Sequence, residues 1–100
     1  MPDTSQTIAT EIVAMLADEK INACMVEDHW LKVLMRKIRA TAEDFLIGTL
    51  GPRDTAARFV KLMKVLDEEK NKPEYRINAD TGGLLGRLPD VTNRFINAVS

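Results

Sequence analysis

The chain is predicted to fold as a single all-α domain spanning residues 1–100, a small bundle of four to five helices. Three observations carry that prediction. Neither glycine nor proline occurs in residues 3–47 or 53–72, and these two are the strongest local breakers of regular structure. Within both stretches apolar residues recur at i, i+3, i+4 and i+7, the period of one helix face. Aromatic residues make up only 5%, low for a sandwich or barrel, whose strands favour aromatic side chains. With 100 residues, 45% hydrophobic and 29% charged, the chain is long enough for one core and too short for two domains.

The first helix is placed at residues 4–17. Asp3 or Thr4 serves as N-cap, a side-chain oxygen accepting an orphan N–H of the first turn, and Asp3 with Gln6 has capping-box spacing. Ile8, Ile12, Met15 and Leu16 share its buried face. Asp18, Glu19, Lys20 and Asn22 read as a break. The second helix starts near Val26 and reaches at least Ala40. Its stripe is Trp30, Val33, Leu34, Ile38 and Ala42, widened by Leu31 and Met35. Thr41 is expected to cap a separate short piece holding Phe45, Leu46 and Ile47, closed by Gly48 or Gly51. Gly51-Pro52 starts the third helix, because proline's fixed φ suits a first turn and its missing N–H costs nothing there. That helix covers residues 53–70, with Ala56, Phe59, Val60, Met63 and Leu66 on one face and Leu62 broadening it. Asn71 and Pro73 end it.

Residues 73–88 read as a loop-rich segment containing Pro73, Gly82, Gly83 and Gly86, with Pro89 just beyond it. Tyr75 and Ile77 alternate with polar residues and allow a short strand. Asp80-Thr81-Gly82-Gly83 is expected as a turn, and Leu84, Leu85 and Leu88 as a single helical turn. Asp90 is the expected N-cap of a last helix bearing Val91, Phe95 and Val99.

A single cysteine, Cys24, excludes an internal disulfide. No apolar run approaches the roughly 20 residues of a membrane span, and residues 1–6 lack the basic and apolar parts of a signal peptide. A cytoplasmic protein with no membrane partner is the expectation.

Catalytic chemistry finds no constellation. His29 and Cys24 stand five apart and project about 140° from one another on a helix. One histidine and one cysteine do not complete a zinc site. Glu27-Asp28, Glu43-Asp44 and Asp67-Glu68-Glu69 are neighbours that diverge by about 100° on a helix. Gly82-Gly83-Leu84-Leu85-Gly86 has neither the order of a dinucleotide fingerprint nor the Lys-Ser/Thr ending of a P-loop. Asp80-Thr81-Gly82 resembles the active-site triplet of the aspartic proteases. That resemblance implies strands around the triplet and a second aspartate, whereas the upstream chain reads as helix, so the string is read as a Gly-rich turn. No catalytic residue, cofactor or metal ligand is therefore assigned, and the chain is expected not to be an enzyme.

Charge is segregated. Residues 1–28 carry a net −5, residues 29–66 a net +5 and the remainder −1. The leading expectation is a small regulator, adaptor or inhibitor that binds another protein, as a homodimer, because wide apolar faces on two helices of a short chain favour an extra interface. Its candidate docking face is Trp30, Leu34, Met35, Ile38, Phe59 and Met63, a pattern that serves a monomer core equally well. Methionine suits adaptable binding surfaces. The alternative is a helix-turn-helix-like DNA-binding protein. Its candidate nucleic-acid contacts are Lys32, Arg36, Arg39, Arg53, Thr55, Arg58, Lys61 and Lys64. A further reading docks the basic segment on the acidic N-terminal part of the same or another chain.

Overall fold

The computed structural model describes residues 4–23, 29–70 and 79–100. They form five helices: α1 (Ser5–Met15), α2 (Asp18–Ala23), α3 (His29–Leu46), α4 (Pro52–Lys70) and α5 (Ala79–Val99). Among the described residues there is no strand, so the all-α bundle is the fold. The candidate strand around Tyr75 and Ile77, Cys24, and the Asp3 capping box lie outside the described residues.

Local chemistry explains where each helix begins and ends. Thr4 caps α1, its Oγ1 accepting from the Thr7 N–H at 3.1 Å. α3 ends in a Schellman motif. Gly48 takes φ +86°, its N–H donates to the Phe45 carbonyl at 3.1 Å, and the Thr49 N–H donates to the Asp44 carbonyl at 2.8 Å. Pro52 is the first residue of α4, and the carbonyl of Gly51 accepts both the Thr55 N–H and the Thr55 hydroxyl.

Three local expectations are corrected. The break at residues 18–22 is a short helix, α2, with acidic Asp18 and Glu19 in its first turn, where they complement the helix dipole. It buries one large side chain, Ile21, and one apolar residue produces no periodic signal. The bend at Thr41 is absent. α3 runs on to Leu46, and Thr41 is a buried interior residue whose hydroxyl returns to the Lys37 carbonyl at 2.8 Å. The turn at Gly82-Gly83 and the N-cap at Asp90 both lie inside α5, which is continuous from Ala79 with Pro89 in its interior. Leu84, Leu85, Leu88, Val91 and Phe95 are all buried. Their burial at about 1.5–3 kcal/mol each outweighs the helix penalties of glycine, about 1 kcal/mol each, and of proline, about 3 kcal/mol.

Four long helices make a closed ring: α1 packs on α3 and α5, and α4 packs on the same two. Neighbours run in opposite directions. Glu11 of α1 pairs with Arg94 of α5 at 3.1 Å, while Met15 shares a groove with Arg87 and Ile8 with Ala98. Arg39 of α3 reaches the Leu16 carbonyl, while Phe45, one and a half turns on, meets Phe95. The short 47–51 turn reverses the chain into α4. The result is an up-down-up-down bundle of 37 × 24 × 24 Å, with α2 laid against α3. Phe95 lies at its centre, edge-on to Phe45 at 4.9 Å and to Phe59 at 5.2 Å.

Candidate binding surface

The bundle divides the candidate residues into interior and surface. Leu34, Met35, Ile38 and Phe59 are buried in the core, and Met63 packs against it half-buried. They hold this chain together and are closed to a partner in this fold. Trp30 is 40% exposed, with the Lys37 ammonium 5.4 Å from its ring centre, a cation–π contact at the rim. The buried stripe of α3 is Leu31, Leu34, Met35, Ile38 and Ala42. It is thus rotated from the expected one, with Leu31 and Ile38 central, Met35 at its edge and Trp30 outside. On α4 the same shift puts Val60, expected on the inner face, at 54% exposure.

The basic residues separate in the same way. Arg39 is a structural bolt: its Nη1 donates to the Leu16 carbonyl at 3.0 Å and to Asp18, and its Nε lies 3.5 Å from Glu43. This is the basic segment docking on the acidic N-terminal part within one chain. The hydrogen bond from Arg39, then its charge, holds the Asp18 carboxyl below its usual value. Arg36 reaches Asn22 at 3.4 Å, and Lys32 is half-buried. Thr55 is fully buried, and its hydroxyl is committed to the Gly51 carbonyl at 2.8 Å. Neither Arg39 nor Thr55 is therefore presented to a nucleic acid.

Arg53, Arg58, Lys61 and Lys64 remain. All four are exposed on the outer side of α4, and among the described residues none has a carboxylate within ion-pair distance. Steps of three and four put residues 53, 57, 60, 61 and 64 on one face, opposite the buried Thr55, Phe59 and Leu66. Exposed Val60 sits among the cations. Leu46 at the end of α3 and Ile47 in the turn after it are also exposed, the latter at 75%. The cations are visible in the sequence, whereas Val60, expected on the inner face, and Ile47, expected in a packed short helix, are exposed.

Among the described residues no group of three or more His, Cys, Asp or Glu side chains is placed to hold a metal ion, and no helix is long and apolar enough to cross a membrane. Asp80 and Thr81 belong to the first turn of α5, in a helix rather than in the strand-flanked setting of the protease triplet. No protein-family model, curated protein or solved structure matches the chain.

Proposed function

We propose that this is a non-catalytic binding protein that docks an acidic partner protein on the outer face of α4. One observation carries the reading: Arg53, Lys61 and Lys64 line one exposed face of α4, Arg58 is exposed at its flank, and none of the four has a carboxylate partner among the described residues. Cations without internal use set the orientation and on-rate of an oppositely charged partner. Exposed Val60 supplies apolar area among them. The alternative ligand for such a face is duplex nucleic acid, whose phosphates draw on the same cations. Against it, Asp54 before the basic stretch and Asp67 and Glu68 after it flank the cations, and a long rigid polyanion meets these carboxylates where a short acidic segment avoids them.

The test is fluorescence anisotropy with two labelled probes of equal charge, an acidic peptide and a DNA duplex, at several salt concentrations. The expected outcome is salt-sensitive binding of the peptide, weakened about tenfold in the Arg58→Glu/Lys61→Glu variant, since two rim charges are worth up to about 1 kcal/mol each. Arg87→Glu, on α5, leaves binding unchanged. Absence of peptide binding at low salt refutes the reading, and binding of the duplex alone transfers the face to nucleic acid.

A further inference from the structure

We propose that the acidic partner segment carries a bulky apolar side chain, and that this side chain enters the cleft between the α3–α4 turn and α4. The inference rests on the reading above and names the chemistry of what is recognised. The cleft is lined by Leu50, Asp54, Ala57, Arg58 and Lys61. Its volume is about 280 Å³, under the roughly 300–1,000 Å³ of sites that enclose small molecules. It is a recess for one side chain.

The lining is fixed in place. Leu50 sits half-buried just beyond the Schellman turn, and its N–H donates to the Asp44 carbonyl at 3.2 Å. Its position is therefore tied to the end of α3. Ala57 is exposed on α4, and its single methyl leaves the recess open. Leu50 and Ala57 supply the apolar part of the lining, and Arg58 and Lys61 the cationic part.

Asp54 makes the site directional. It stands at the N-terminal edge of the cleft, one turn before Arg58, and repels a carboxylate placed there. Arg58, Lys61 and Lys64 follow along α4. An incoming segment is thus read as an apolar anchor at Leu50 and Ala57, with its carboxylates towards Lys64. Charge alone does not require the anchor, and an apolar groove alone does not select acid. The recess has both features, and the ligand class that matches both is an acidic segment bearing leucine or phenylalanine.

The experiment compares two labelled acidic peptides of identical length and charge, one with a central phenylalanine and one with alanine there. Both are titrated into the wild type and into Ala57→Phe, which plugs the recess from an exposed position and leaves every charge in place. Circular dichroism confirms that the variant is folded. The expected result is about tenfold tighter binding of the phenylalanine peptide by the wild type, the gain from burying most of one ring. In Ala57→Phe that preference disappears, while salt-sensitive binding of the alanine peptide remains. Equal affinity of both peptides for the wild type overturns the anchor and leaves the acidic-partner reading standing. A preference that survives in Ala57→Phe places the anchor elsewhere and also overturns the inference. Binding of neither peptide removes both.

Discussion

Arg39 and Asp18 show how one cation changes its role between sequence and structure. In the sequence Arg39 continues a stripe with Lys32 and Arg36. In the fold its guanidinium donates to the Leu16 carbonyl and to Asp18. That hydrogen bond lowers the Asp18 carboxyl below its usual 3.8. A carboxyl depressed in the folded state adds stability above its unfolded value, and that addition is lost as pH falls through the folded value. Asp18→Asn is therefore expected to be less stable than the wild type at pH 7. The gap closes as pH drops below the ordinary carboxylate range. Urea unfolding at pH 7, 5, 4 and 3 checks it. A gap that stays constant across that range assigns the bond no electrostatic part. Asp18 is 74% exposed, so the gap is small and shrinks in salt.

At the scale of elements, α5 tests how far glycine and proline punctuate a helix. Gly83 and Gly86 are helical, with nothing within 4 Å of where a Cβ would stand. Gly83→Ala and Gly86→Ala are each expected to raise stability by about 1 kcal/mol, read as a higher denaturation midpoint. A loss on either substitution refutes the open helical surface described here. Pro89 supplies no N–H, and the Thr92 hydroxyl beside it donates to the Leu88 and Pro89 carbonyls. α1 and α4 were legible because caps, proline position and periodicity agree there. α5 was not, because Gly82, Gly83, Gly86 and Pro89 carry a local signal opposite to the tertiary one. The deciding term is burial of Leu84, Leu85 and Leu88, which depends on helices elsewhere in the chain, α1 and α4, packing on α5. The candidate site was legible in its charges alone. Arg53, Arg58, Lys61 and Lys64 are visible in the sequence, whereas whether Met35 or Val60 faces inward depends on how α3 and α4 rotate against their neighbours.

For the whole molecule, Phe95 is where three helices converge. Phe95→Ala is expected to cost about 3–5 kcal/mol, because a large cavity opens in a core that closes on it only partly. That is a large share of the roughly 5–15 kcal/mol available to a domain of this kind. Urea denaturation followed by circular dichroism checks it, with an unchanged slope showing that the bundle still unfolds as one unit. A loss below about 1 kcal/mol contradicts a central position for this ring. The same ring of alternating helices has an electrical consequence. Each long helix ends in partial charges of about half an electron, positive at its N-terminus and negative at its C-terminus. In an up-down-up-down bundle every positive end lies beside two negative ones, so the four backbone dipoles oppose one another in pairs. What reaches an approaching molecule is the field of the side chains, to which Arg53, Arg58, Lys61 and Lys64 on the outer side of α4 contribute positive charge. In physiological salt it decays over about 8 Å. The contribution of the α4 cations is therefore felt at short range only.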